Sequence, residues 1–270
     1  MILSLASEPR PGHENEDFVA ASADCVVVLD GAGTPAEMDT GCGHGVAWFV
    51  RELGTALHGE ASRTRGSLSD CLAVAIMRTA DLHRSTCAVD DPLSPSATVT
   101  AVRVRGESVE WLVLGDSTVV LDRGGEVEAV SDRRLSAVAQ EKRAALAYAE
   151  EGTRERRRTH SLLVHAERAM RNTPGGYWVA AADPHAAMEA ITGTAARTDL
   201  VRAALLTDGA ARLVDTFALA DWPGCLDLLE QQGPSQLISR VRQAELSDPA
   251  LERWPRSKPH DDATAAFIRF

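Results

Sequence analysis

A chain of 270 residues, 44% hydrophobic and 25% charged, has the balance of a globular protein with a sizeable core, in one large domain or two small ones. Its formal net charge of −11 argues against a protein that clamps nucleic acid or an anionic membrane surface, and suits one that collects metal cations. No apolar run approaches the roughly eighteen residues of a membrane span, and the opening MILSLASEPR lacks the basic start of a secretory signal. The cysteines, Cys25, Cys42, Cys71, Cys87 and Cys225, are odd in number and contain no C-x-x-C pair. Reduced thiols in a cytoplasmic protein are therefore expected.

In chain order, residues 1–6 read as a first strand, 18–23 as a second, and Val26–Leu29 as a third. The third is a continuous apolar run, the pattern of a strand buried on both faces. A glycine-rich loop, GAGTPAEMDTGCGHG, leads to a helix at about 45–58 with Val46, Phe49, Val50, Leu53 and Leu57 on one stripe. A second helix is expected over Leu68–His83, with Leu72, Ile76, Ala80 and His83 on one side and Ser67 and Ser69 marking its start. ATVTAVRVR, VEWLVLGDS and TVVLDRGGEVEAV then read as closely spaced antiparallel strands. Residues 131 to about 176 read as a charged, mobile insert with a helix at 136–150 and the basic run RERRR. Beyond it, YWVAAA is expected to be a strand, DPHAAMEAI a short helix, and DLVRAALLTDGA a strand ending in Asp-Gly. CLDLLEQQG and SQLISRVRQAEL follow as helices, and DDATAAFIRF as the last strand. Paired helices alternating with blocks of antiparallel strands predict an α+β fold, a four-layer αββα sandwich of two stacked antiparallel sheets flanked by helix pairs. The whole of 1–270 is expected to form one domain.

Each Asp-Gly is by itself a turn dipeptide. The joint pattern says more. Asp30 follows VVVL, Asp116 follows WLVLG, Asp208 follows AALLT, Asp261 and Asp262 precede ATAAFI, and Glu16 and Asp17 precede FVAA. In antiparallel sheets the end of one strand lies beside the start of its neighbour, so these acids can meet on one rim. Gathered carboxylates repel and are costly to desolvate, and a divalent cation resolves both problems. An all-oxygen ligand set selects Mg²⁺ or Mn²⁺.

NED at 15–17, VVVLDGAG at 26–33, SATVTAVRVRGESVEWLVLGDS at 96–117, LLTDGA at 205–210 and HDDAT at 260–264 occur in the order of the metal-dependent protein phosphatases of type 2C, the PPM family. The chain resembles a compact bacterial form of that family over nearly its whole length. The resemblance implies a protein-serine/threonine phosphatase with two Mg²⁺ or Mn²⁺ ions and a third, weaker one. Asp30 would bridge two ions, with the Gly31 carbonyl on one. Asp208 and Asp261 would hold the first ion. Glu16 would hold the second through water with Asp17 in support, and Asp116 would help bind the third. A metal-bridging hydroxide would attack the phosphorus of a phosphoserine or phosphothreonine in a protein partner.

Two positions depart from the family pattern. The arginine that grips the substrate phosphate is replaced by Gly12, leaving Arg10, His13 or an insert arginine to serve. The histidine that often follows the bridging Asp-Gly is Ala32, so leaving-group protonation is expected from water. These departures keep two other classes open: a catalytically weak phosphatase-like binding or regulatory module, and a phosphatase for a small metabolite. TGCGHGV at 40–46 reads as an entry loop without a ligand, although a helix start can cradle an anion. His160 and His165 fall on different helix faces, and RERRR reads as a solvated face. His260 adjoins Asp261 and is expected either in contact with the site from behind its ligands or in solvent.

Overall fold

The computed structural model describes residues 1–32 and 40–270. Its first half runs β1 (Ile2–Glu8), β2 (Asp17–Ala21), β3 (Cys25–Ala32), α1 (Val46–Arg63), α2 (Leu68–His83), β4 (Ser96–Arg105), β5 (Ser108–Leu114), β6 (Thr118–Asp122) and β7 (Val127–Val130). Three helices of the insert follow, α3 (Arg134–Ala137), α4 (Gln140–Tyr148) and α5 (Arg154–Arg168). Then come β8 (Ile191–Ala196), β9 (Arg202–Leu206), α6 (Asp208–Asp215), α7 (Trp222–Gln232), α8 (Pro234–Ser247) and β10 (Ala263–Arg269). Two five-stranded antiparallel sheets result, ordered β1-β10-β9-β6-β7 and β2-β3-β4-β5-β8.

Strand β3 explains why its apolar run is continuous. Alternate side chains of a strand point to opposite faces. Cys25, Val27 and Leu29 pack under α1 and α2 with Phe49, Leu53, Leu72 and Ile76. Val26 and Val28 enter the space between the sheets, against Val119, Leu121, Ala203, Leu205, Ala266 and Ile268 of the other sheet. A third cluster joins that other sheet to α6, α7 and α8 through Leu206, Leu213, Leu226, Leu237, Val241 and Phe267. These three clusters are the seams of four layers. Each fully buried Val or Leu contributes on the order of 1.5–3 kcal/mol to holding β3 rigid.

Helix α2 begins as its sequence promised. Ser67 caps it, accepting from the Asp70 N–H while Asp70 accepts from the Ser67 N–H.

Four expectations change. YWVAAA is not a strand. It meets β4 in a single antiparallel bridge, where Ala97 and Ala180 exchange backbone hydrogen bonds at 2.8 and 2.9 Å, while its Val179 N–H goes to Asn172 Oδ1 at 2.9 Å, so no ladder extends along it. The helix at 136–150 is broken at Ala139, whose left-handed φ of 54° separates α3 from α4. RERRR is the first turn of α5 rather than a solvated face throughout. Arg156 is buried and donates to the carbonyls of Leu146 and Ala149 at 2.8 and 2.7 Å. Lastly, β9 ends at Leu206, and Asp208-Gly209 opens α6, with the Ala211 N–H reaching the Thr207 carbonyl at 2.9 Å. Strand β8 was not foreseen either. It is a largely exposed edge strand with few apolar residues, and its Gly193 lies under the Trp111 ring.

Candidate active site

Antiparallel pairing sets Asp17 of β2 opposite Asp30 of β3, and Asp30 opposite Thr98 of β4. The Gly31 N–H donates to the Glu16 carbonyl at 2.9 Å, strapping the 15–17 segment against β3. Gly31 has ordinary strand geometry. A Cβ there would stand 2.4 Å from Val46 Cγ1 and 2.5 Å from the Glu16 carbonyl oxygen, so the glycine permits close approach and makes no turn.

The other sheet supplies its acids from the ends of β9 and β10. Thr207, just beyond β9, donates its hydroxyl to Asp17 Oδ2 at 3.0 Å and accepts the Thr264 N–H at 2.9 Å, joining the two sheets at the rim. Asp208 follows as the first residue of α6. A Cβ on Gly209 would fall 1.9 Å from the Asp262 carbonyl oxygen, so this glycine too marks a close approach. Before β10 the two neighbouring aspartates divide their work. Asp262 accepts the backbone N–H groups of Arg10 at 2.7 Å and Glu16 at 3.1 Å, fixing the loop that carries them. Asp261 receives Arg212 Nη2 at 2.8 Å and Lys258 Nζ at 3.0 Å. Asp116 follows β5 at Gly115, whose φ of 87° makes the bend.

The electrostatics show which acids meet. Burial, then the charges of Asp208, Asp17, Asp261 and Asp116, push the Asp30 carboxyl well above the usual range. Burial raises Asp17 likewise, against hydrogen bonds from Thr264 and Thr207. Burial and Asp208 push Asp116 up to about 7, and burial raises Glu16. Asp261 moves the other way: burial would raise it, but Lys258 and Arg212 hold it low. Asp17, Asp30, Asp116, Asp208 and Asp261 thus share one field, with Glu16 at its edge.

This donor set suits a hard divalent cation. All its side-chain donors are oxygens, and Asp17 Oδ1 is buried with no hydrogen-bond partner among the described residues. Glu16, Asp17, Asp30, Asp116, Asp208, Asp261 and the Gly31 carbonyl could hold Mg²⁺ or Mn²⁺.

Beside the acids lies a cationic groove of about 440 Å³, lined among others by Arg10, His13, Arg157, His160, Lys258 and His260. Arg10 is 3.7 Å from Glu16, and its Nε is buried without a hydrogen-bond partner among the described residues. Gly12 has a left-handed φ of 79°, a conformation that strains an arginine. His260 stands behind the ligands: its Nδ1 is 2.9 Å from Glu245 Oε2, and Glu245 in turn holds Arg212 at 2.7 Å. Arg212, Glu245, Lys258 and Thr207 were not foreseen. Two signals were available, since Arg212 lies one helical turn beyond Asp208 and Lys258 three residues before Asp261.

A family model described as "Protein phosphatase 2C" matches residues 7–248. The chain belongs to the protein phosphatase 2C family. It is thus a protein phosphatase by family, and solved structures share its fold. The catalytic domain of the serine/threonine protein phosphatase PstP, in complex with two manganese ions, matches at 17% identity and TM-score 0.56, covering 98% of this chain and 96% of its own. The PPM Ser-Thr phosphatase MsPP from Mycobacterium smegmatis, in complex with cacodylate, matches at 18% identity and TM-score 0.57, over 100% and 98% of the two chains. PppA, a regulatory component of T6SS in Pseudomonas aeruginosa, matches at 18% identity and TM-score 0.58, over 99% and 96%. No curated protein matches the chain. Among the described residues no helix is long and apolar enough to cross a membrane.

Proposed function

We propose that this chain is a metal-dependent phosphomonoester hydrolase acting on phosphoserine and phosphothreonine in proteins. The observation that carries this reading is one rim where five mutually repelling aspartates adjoin a cationic groove. Anionic oxygens for a metal and cationic groups for a phosphoester are what such a reaction needs side by side.

Asp30, Asp208 and Asp261 are the principal metal ligands, with the Gly31 carbonyl beside Asp30. Glu16 and Asp17 serve a second ion and Asp116 a third. PstP, the relative with two manganese ions, supports the choice of metal. When bound, Mg²⁺ or Mn²⁺ would neutralise phosphoryl charge and lower the pKa of an attacking water. The protein's own groups do the rest. Asp262 fixes the backbone of Arg10 and Glu16, so the substrate-facing arginine and a metal-facing acid move as one unit. Arg10 takes the phosphate-binding role left open at Gly12, assisted by His13 of the same turn, which also lines the groove. Ala32 has no proton to give, so the leaving alkoxide is protonated by water. Residues 1–270 act as one catalytic unit, in which the insert at about 131–176 lends α5 to the groove wall and takes part in choosing the substrate. The reaction would serve signalling in a bacterial cytoplasm.

The test is Mn²⁺-dependent release of phosphate from a phosphothreonine peptide, with and without chelator. Turnover that persists in Asp30→Asn or Asp208→Asn sinks the site assignment. Gly12 supports a second reading, because a chain lacking the usual arginine can retain the fold without its activity. If phosphopeptides and small phosphoesters both resist hydrolysis while Mn²⁺ still binds, the chain is a phosphatase-like binding module. Selective hydrolysis of small phosphoesters would make it a metabolite phosphatase.

A further inference from the structure

Away from the acidic rim, four side chains from two segments converge. Cys42 and His44 lie on the stretch entering α1, and His83 and Cys87 lie at the end of α2 and just beyond it. One ligand atom from each residue lies within 4.8 Å of all the others. Cys42 Sγ is 3.6 Å from His83 Nδ1 and 3.9 Å from His44 Nδ1, and His44 Nδ1 is 3.3 Å from Cys87 Sγ. A tetrahedral zinc with Zn–S of about 2.3 Å and Zn–N of about 2.0–2.1 Å requires sulfur-to-nitrogen edges of about 3.6 Å. The observed edges bracket that value.

The surroundings hold the ligands in place. His83 is only 3% exposed, fixed by Trp48 and Phe49 at ring-centroid distances of 5.0 and 6.5 Å. His44 stacks on the same Trp48 at 4.3 Å and forms the exposed side of the cluster, a route for metal entry. The two segments are tied directly by the Ala88 N–H to the Gly41 carbonyl at 2.8 Å. Gly41 has a left-handed φ of 64°, and a Cβ on it would stand 2.9 Å from that of Ala88, so the close crossing depends on glycine. Pairwise thiol–imidazole hydrogen bonds do not require four atoms to share one centre, whereas a metal does.

We propose that Cys42, His44, His83 and Cys87 form a structural zinc site. Two thiolates and two imidazoles in tetrahedral array are a soft, closed set that selects Zn²⁺ over the Mg²⁺ or Mn²⁺ of the acidic rim. On binding, the two thiols each release a proton, and the centre of one Zn²⁺ and two thiolates is neutral. The site clips the stretch before α1 to the end of α2. The expectation of an entry loop without a ligand at 40–46 is replaced by this assignment.

The test counts zinc, not turnover, so it stands or falls separately from the phosphatase reading. The full chain, expressed with zinc and dialysed against metal-free buffer containing reductant, should retain one zinc per molecule by mass spectrometry. The Asp30→Asn/Asp208→Asn variant should retain the same amount. Cys42→Ser/Cys87→Ser should lose it, and His44→Ala, at the exposed position, should fold and bind zinc at least about tenfold more weakly. Cobalt in place of zinc in the unmodified chain should give sulfur-to-cobalt charge transfer, which an all-oxygen site cannot produce. Zinc content no higher than in the double cysteine variant, a cobalt protein without that transition, or a Cys42–Cys87 disulfide formed despite reductant would each overturn the assignment.

Discussion

Asp17 and Asp30 sit directly opposite each other in the β2–β3 ladder, two carboxylates where cross-strand pairing favours opposite charges. Both are pushed upward in pKa, by burial first and then by neighbouring aspartates. The pair is a standing cost that a bound cation would offset. Asp30→Asn keeps the shape and removes one charge. It is expected to lower metal-dependent turnover at least about a hundredfold, the scale of losing one group that stabilises transition-state charge. It should also raise the stability of the chelator-treated protein, since one of two carboxylates that burial and mutual repulsion disfavour is gone. Urea unfolding in chelator measures the second effect, and a fall in stability would show that the pair is not repulsive.

Asp116 gives the pH dependence a sign. Burial, then Asp208, raises its folded pKa to about 7, against 3.8 for the free group. Between those values the folded chain holds a proton that the unfolded chain has released, so folding is favoured as pH falls through the window. Asp17 and Asp30 act in the same direction. Asp261, held low by Lys258 and Arg212 against burial, stays ionised in both states and adds no slope there. The melting temperature of the chelator-treated protein should therefore rise as pH is lowered from about 7 toward about 5, with a smaller rise in Asp116→Asn. Excess Mn²⁺ should reverse the slope, because protons then compete with the metal. A flat profile in chelator would contradict the shared field.

The fold was legible where one residue pattern served one layer. VVVL read as a strand closed on both faces because Val26 and Val28 fill one seam while Cys25, Val27 and Leu29 fill another. The acids were legible because each ends or opens an apolar strand. The glycines beside them were misleading: Asp-Gly is a turn signal, yet Gly31 lies in a strand and Gly209 in a helix, and both are there because a neighbour comes too close for a Cβ. Of the partners of Asp261, Lys258 is signalled by its spacing of three, but the charge chain from Asp261 through Arg212 to Glu245 joins α6, α8 and the last loop, and no local spacing announces that chain. The four-ligand cluster was hidden for a similar reason. Its half-motifs, C-x-H and H-x-x-x-C, are separated by two whole helices and meet only because α1 and α2 fold back on each other.

Gly209→Ala tests the close approach at the start of α6. The added carbon would fall 1.9 Å from the Asp262 carbonyl oxygen, backbone that cannot move without shifting Asp261 and the loop bound by Asp262. A loss of about 3 kcal/mol, the upper end for overpacking, is expected, together with weaker Mn²⁺ binding. Gly59→Ala is the contrast. In the interior of α1 its Cβ would meet nothing closer than Arg63 Nη2 at 3.6 Å, so a gain of about 0.5–1 kcal/mol is expected. Equal effects of the two changes, read by chemical denaturation, would remove the argument from close approach.

Arg212 is the support on which Asp261 depends. One nitrogen binds Asp261 Oδ2 at 2.8 Å and another binds Glu245 Oε1 at 2.7 Å, while Glu245 is 1% exposed. Removing the guanidinium leaves Asp261 with Lys258 and Glu245 with Arg242 and His260, so the loss falls toward the lower end of the about 3–5 kcal/mol for a buried pair that loses one partner. Arg212→Met is expected to lose that much in chelator. It should lose less in saturating Mn²⁺, because a cation at Asp261 replaces part of the missing charge. Arg212→Lys keeps the charge but cannot span both carboxylates, so it should fall between the two. The comparison of unfolding midpoints with and without Mn²⁺ decides the matter. A deficit of Arg212→Met that is unchanged by metal would mean that the arginine supports the fold alone and does not prepare Asp261 for a cation.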